Sequence, residues 1–483
     1  MRRCIAGAML VLAHLTAWAQ LPGTVLQGLR DAGIPAGNVS AIVQRAGSDV
    51  PVLAYRTEVP VNPASVMKLV TTYAALELLG PAYRWKTEVY QAGETLYLRG
   101  TGDPKLNYES FWMLLRALRG RGLKDLRGDI VLDRSFFGPV ADGRIDDEAF
   151  RPYNVTPDAL LVNFKSLRFT FLPDSTSVRI YAEPGLPGLE LVNGLKLANG
   201  ACPDGRAFRD LIGAQFQSQP PRAAFMGAYP LSCGEKELNV ALHTPADYVE
   251  GMIRQLWSEL GGKWEDGNGR PGRVREGTVP PGATLLYAHE SEPLAEIVRD
   301  INKFSNNVMA RQLFLTLAAE LGGPPARPEN AMQAIRQWLS RKGLSIPELA
   351  MENGSGLSRN ERISVRSLAA LLQAAWKSQV MPEFIASLPI VAADGTMKKR
   401  LQSEPVAGQA HIKTGLLHDA RAVAGYVLDR NGNREIVAMV INDPRAPEGQ
   451  AALDALVEWA YSQPPIAPAP TKARPRGALP RHP

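Results

Sequence analysis

The chain has 483 residues, too many for one ordinary domain, and nothing in it repeats at a fixed period, so two or three domains are expected and a repeat array is excluded. It carries 54 Lys and Arg against 48 Asp and Glu, but Arg2, Arg3, Lys472, Arg474, Arg476 and Arg481 sit at the two ends, which leaves 48 of each sign in the body. A balanced body excludes a dedicated nucleic-acid binder, and the basic end reads as a solvated tail.

Arg2 and Arg3 precede an apolar run from Ile5 to about Leu15 and then Ala17-Trp18-Ala19, the small-x-small pattern of a signal-peptidase site. Residues 1–19 are expected to be a cleaved export signal, because the run is far short of the ~20 residues that span a bilayer.

Asn62-Pro63-Ala64-Ser65-Val66-Met67-Lys68 leads into a segment where Leu69, Tyr73, Leu76 and Leu79 recur at helical spacing before Gly80-Pro81 stops it. Ser65 falls in the first turn, and Lys68 follows one turn later on the same face. This places a nucleophile beside a base. An ordinary lysine is protonated at neutral pH, so Lys68 needs burial and a second cation nearby to act as one. S-x-x-K occurs once in the chain; taken alone, a serine there is an ordinary helix cap.

The stretch 84–275 is Gly- and Pro-rich and leans to β structure. With Cys4 in the export signal, Cys202 and Cys233 remain alone together in an oxidising compartment, and a disulfide is expected between them. Two patterns in this stretch read as decoys. Glu235–Asn239 fits E-x-x-L-N but lies beside Cys233, and Gly267–Gly272 fits G-x-G-x-x-G but contains Pro271 and lacks a flanking strand and helix, so no dinucleotide is implied.

Ser305-Asn306-Asn307 falls between helical segments near 293–303 and 308–320, where polar groups can face a cleft cheaply. Ser358-Arg359-Asn360 also fits S-x-N but follows a glycine-rich element. Lys413-Thr414-Gly415 occurs once, at the start of adjacent strands joined by Asn431-Gly432 as a two-residue hairpin turn. Gly415 would let a peptide lie against the strand edge, with Lys413 and Thr414 offering a cation and a hydroxyl to a carboxylate. His411 and His418 flank this motif as ordinary strand residues; the histidines lack metal spacing and there is no H-E-x-x-H, so neither a metal nor an organic cofactor is expected. Residues 464–483 are Pro-rich, non-periodic and without an amphipathic face, which predicts a disordered tail and no stable membrane anchor.

In chain order these motifs match the S-x-x-K, S-x-N and K-T-G set of penicillin-binding proteins and β-lactamases, with Asn306 where an Asp often stands. The 236 residues from 69 to 304, together with Leu98–Pro104 (similar to a G-x-G-D-P element) and Gly354–Arg359 (similar to a G-S-G-L-S-R element), resemble D-alanyl-D-alanine carboxypeptidases/endopeptidases of the penicillin-binding protein 4 type. The resemblance covers nearly the whole chain after the export signal. It implies an α+β transpeptidase fold, an antiparallel sheet with helices on both faces, in which residues 20–83 and 276–463 form the catalytic unit. Residues 84–275 would be inserted, with a subdomain near 165–240. It implies a periplasmic enzyme acting on peptidoglycan peptides ending in D-Ala-D-Ala and acylated by β-lactam antibiotics. Ser65 would be the nucleophile, Lys68 the base, Ser305 the proton relay, Asn307 the holder of the substrate amide and Lys413 the cation. Thr414 and Gly415 would line the substrate strand, Leu416 would supply an oxyanion N–H with Ser65, and Asp133 would meet the amino end of a diaminopimelate side chain. A β-lactamase is disfavoured by the long insert, and a non-catalytic peptidoglycan-binding scaffold by the complete motif set. Oligomeric state and the balance of carboxypeptidase, endopeptidase and transpeptidase activity are left open at this level.

Overall fold

The computed structural model describes residues 20–140, 148, 150–266 and 268–464. The expected export signal with Cys4, Gly267, and the tail beyond Pro464 lie outside the described residues. Five strands form an antiparallel sheet in the spatial order Ala410–Leu416, Ala420–Leu428, Arg434–Asn442, Val39–Arg45 and Pro51–Tyr55. The third of these reads REIVAMVIN, with six apolar residues in a row, because both faces are covered. Alternate side chains go to opposite faces of a strand. Val437, Met439 and Ile441 share a core with Val25, Leu29, Leu453 and Leu456 of the terminal helices Gly23–Asp31 and Gln450–Tyr461. Ile436, Ala438 and Val440 share another with Leu69, Val70, Leu368 and Leu372 of helices Lys68–Leu79 and Val365–Trp376. The architecture is thus the expected α+β one.

Helix Lys68–Leu79 is buried from Lys68 through Leu76, and helix Asn307–Gly322 from Val308 through Ala319. Helices apolar on all sides belong in the middle of a large core. The first stops at Gly80, whose φ of +84° is free of Cβ strain. Asn306 caps the second, its side chain accepting from the Met309 N–H.

A second five-stranded sheet has the order Val274–Glu276, Ile130–Asp133, Thr95–Gly100, Lys86–Ala92 and Thr284–Glu290. Its last strand lies beyond residue 275, so this sheet continues past the chain position at which the insert was expected to end. Beside it, Lys236–Val240, Leu167–Pro173 and Val178–Glu183 form an antiparallel trio, and Ala214–Ser218, Pro221–Phe225 and Glu190–Asn193 a mixed one. These elements share a core containing Phe169, Phe171, Phe208, Phe225, Tyr229 and Trp257. The Cys202–Cys233 disulfide closes a sequence separation of 31 within it.

The hairpin expected at Asn431-Gly432 is longer than two residues. The strands end at Leu428 and resume at Arg434, and the Asp429 carboxylate accepts from the Asn431 and Asn433 N–H groups at 2.9 and 2.7 Å. That cap opens the connection to five residues, with Gly432 at φ +82°.

Candidate active site

Ser65 lies in the 3₁₀ turn Ala64–Met67 that runs directly into helix Lys68–Leu79. The turn is held from two sides by glycines. A Cβ on Gly356 would stand 1.9 Å from the Ala64 carbonyl oxygen, and one on Gly415 would stand 2.5 Å from that of Pro63. Only bare backbone lets the glycine-rich loop and the edge strand approach this closely. Ala64 at φ +48° and Ser305 at φ +56° are both in the left-handed region, which a non-glycine residue keeps only when its surroundings dictate it.

Lys68 is fully buried and makes three contacts: Ser65 Oγ at 2.9 Å, Asn307 Oδ1 at 2.6 Å and the Ser355 carbonyl at 2.6 Å. Burial, and then the charge of Lys413, hold its amine well below the ordinary lysine value, against an opposing pull from Glu361. A neutral amine has two N–H donors and one lone pair. Asn307 Oδ1 and the Ser355 oxygen can only accept, so the lone pair is left for the Ser65 hydroxyl proton.

Lys413 is also fully buried, donates to Ser305 Oγ at 2.9 Å and to the Thr414 carbonyl at 2.8 Å, and is brought down to about 7 by burial. Its strand, Ala410–Leu416, is an edge. Ile412 N–H donates outward to Pro389 at 2.8 Å, whereas Leu417 N–H donates inward to Ala420 at 2.8 Å. By the alternation of an antiparallel ladder, Thr414 and Leu416 turn their backbone groups outward with Ile412. Residues 389–391 cover the beginning of this edge. Thr414 Oγ1 meets Thr396 Oγ1 at 2.8 Å, and Lys303 holds the neighbouring Asp394 at 2.6 Å.

The structure therefore brings Ser65, Lys68, Ser305, Asn307, Lys413, Thr414, Gly415 and Leu416 to one place. Asp133 is not among the residues that line the cleft beside them. That carboxylate is buried and accepts from Ser135 N–H, Ser135 Oγ and Val279 N–H at 3.0, 2.6 and 2.9 Å. Ser358 and Asn360 of the alternative S-x-N both bond Glu352 and brace the glycine-rich loop. The cleft beside Ser305 and Asn307 has a volume of about 840 Å³ and is walled on its far side by Arg151, Tyr153, Phe164, Arg168, Glu237 and Asn239. Glu237 and Asn239 are thus surface residues, but of the cleft wall. Sequence reasoning missed Thr396, Glu361 and the Ser355 carbonyl. A backbone acceptor leaves no side-chain signature, and only the two glycines around Ser355 hinted at it.

A serine hydroxyl facing a buried lysine at the open edge of an antiparallel sheet defines a serine acyl-transfer enzyme of the penicillin-binding fold. The chain belongs to the D-Ala-D-Ala carboxypeptidase 3 (S13) family, whose model matches residues 24–463. It is 28% identical over 434 residues to the D-alanyl-D-alanine carboxypeptidase of Actinomadura sp. strain R39, covering 83% of this chain and 78% of that one. It is 24% identical over 430 residues to the D-alanyl-D-alanine carboxypeptidase DacB of Haemophilus influenzae, covering 85% and 86%. The crystal structure of penicillin binding protein 4 from H. influenzae superposes with a TM-score of 0.74 at 22% identity over 91% of this chain and 99% of that one. The same protein complexed with a β-lactam gives 0.69 at 22% identity over 91% and 100%. Among the described residues no helix is long and apolar enough to cross a membrane.

Proposed function

We propose that this protein is an exported serine D-Ala-D-Ala carboxypeptidase with DD-endopeptidase activity, working on peptidoglycan stem peptides in the periplasm after removal of residues 1–19. The observation that carries the reading is the Lys68 amine, 2.9 Å from Ser65 Oγ with its other two contacts on groups that only accept. Ser65 Oγ attacks the carbonyl carbon of the penultimate D-alanine while its proton passes to Lys68. The tetrahedral oxyanion takes hydrogen bonds from the Ser65 and Leu416 N–H groups. The C–N bond then breaks as Ser305 relays the proton held by Lys68 to the leaving amine, which returns Lys68 to its neutral form, and water releases the acyl group from Ser65. Asn307 orients the substrate amide, and Lys413 with Thr414 receives the terminal carboxylate. The substrate backbone extends along the open edge at 414–416, as an added strand does.

Carboxypeptidase and endopeptidase cuts differ only in what leaves, a free D-alanine or a cross-linked strand, and the wide cleft suits the larger group. The β-lactam bound to the H. influenzae protein supports acylation of Ser65 by the same drugs. The test is labelling with a fluorescent penicillin read by gel and intact mass. We expect a covalent adduct on wild type and none on Ser65→Ala, followed by D-alanine release from muropeptides. No adduct on folded wild type would remove Ser65 as nucleophile.

A further inference from the structure

Glu361 follows the glycine-rich loop and is fully buried. Its Oε1 lies 3.4 Å from both the Glu352 and Asn353 N–H groups, and its Oε2 has no hydrogen-bond partner among the described residues. From Asn353 a chain of contacts leads to the reacting atoms. Asn353 Oδ1 accepts from the Ser355 N–H at 2.9 Å and hydroxyl at 2.7 Å, and the Ser355 carbonyl accepts from Lys68 Nζ at 2.6 Å. Thr71, three residues along the same helix, ties down the intervening Gly354 carbonyl at 2.7 Å. A fully buried carboxylate with one oxygen unpaired is expensive unless a cation is near. Burial lifts Glu361 to about 7, and the Asn353 and Glu352 amides and Lys68 pull it back. The other charges acting on the pair are Lys413 on the edge strand, which opposes the ammonium form of Lys68, and Glu352 in the loop, which opposes ionised Glu361. Ser65, Asn307 and Ser355, which complete the contacts of Lys68, are uncharged.

We propose that Glu361 is a positioning residue for the reaction at Ser65: it anchors the 352–356 loop that sets the Ser355 carbonyl against Lys68, and its carboxylate is the counter-charge for the ammonium formed when Lys68 takes the serine proton. The proton moves from Ser65 Oγ to Lys68 Nζ, and Glu361 exchanges none. Without that negative charge, Lys413 faces the new ammonium unopposed. The inference rests on the reading of Lys68 as the base.

The test is the pH profile of acylation by a chromogenic or fluorescent β-lactam in Glu361→Gln, which keeps an oxygen for the two loop amides and loses the charge. A neighbouring carboxylate raises a lysine's apparent value, so its removal is expected to move the acid limb to lower pH by on the order of one unit. The plateau rate is expected to fall about tenfold. That limb reports the coupled Lys68, Lys413 and Glu361 group as a whole. Glu361→Leu, whose apolar side chain suits a buried position, carries the same expected shift should the glutamine variant fail to fold. Loop anchoring alone lowers thermal stability but leaves the acid limb in place, so a folded variant whose limb coincides with wild type overturns the proposal. A wild type that does not acylate refutes instead the serine-peptidase reading.

Discussion

In the proposed mechanism Lys68 and Lys413 do opposite work with the same side chain. Both are fully buried and both are pulled down, but Lys68 must be neutral to receive a proton while Lys413 must be charged to attract a carboxylate. Their difference comes from charge, since Lys413 bears on Lys68 in addition to burial, while burial alone bears on Lys413. Lys68 faces two acceptor-only oxygens and a hydroxyl, whereas Lys413 faces a serine hydroxyl and a carbonyl beside the open strand edge. The sign of the pH effect follows for each. Lys68 loses its proton as pH rises, which makes acylation faster. Lys413, at about 7, loses its charge as pH rises through neutrality, which weakens carboxylate binding. We expect the KM for a peptide ending in D-Ala-D-Ala carboxylate to rise ~25-fold from pH 6.5 to pH 8.5, following a single ionisation near 7. The corresponding carboxamide is expected to change little. Steady-state kinetics on the two substrates separates the cases, and parallel curves would remove Lys413 from carboxylate recognition.

At the scale of elements, catalytic geometry depends on close approach of backbone to backbone. The 3₁₀ turn with Ser65, the loop with Gly356 and the strand with Gly415 meet without side chains between them. Gly356 combines the shortest approach with a φ of +85°, so alanine there is both strained and in collision with Ala64. We expect Gly356→Ala to cost about 1–3 kcal/mol in stability. We also expect acylation to slow at least tenfold, as the turn shifts Ser65 relative to Lys68. Thermal unfolding and stopped-flow acylation measure the two effects, and unchanged acylation would mean that the loop can retreat without moving the nucleophile.

At the scale of the molecule, the sheet with its helices carries the candidate groups, and residues between 151 and 239 wall the cleft beside them. Phe208, Tyr229 and Cys233 belong to the core of the insert, while Lys68 and Asn307 belong to helices packed in another. The staple therefore lies in a core that holds none of the candidate reacting groups. Closing a separation of 31 residues stabilises by ~3–4 kcal/mol in the chain-entropy model. We expect a Cys202→Ala, Cys233→Ala double variant to lose about that much in denaturant titration of the insert. It should still be labelled at Ser65 by penicillin at the wild-type rate. Loss of labelling in a folded double variant would show that the cleft wall takes part in acylation.

The sequence by itself determined the candidate groups and their order, because Ser65, Lys68, Ser305, Asn307 and Lys413 stand at spacings local to one turn, one helix start and one strand. The fold class came with the family resemblance that this order of motifs carries. The tertiary structure decided what each lysine faces, since that depends on Ser355 reaching Lys68 across 287 positions of chain and on the charges of Lys413 and Glu361 that act on it. Asp133 and the Asn431-Gly432 turn show the same limit from the other side. The acidic residue is held by Ser135 and Val279, and the turn is opened by Asp429. A side chain's type is written in the sequence, but its state is set by burial and by partners that only the folded chain brings within 3 Å.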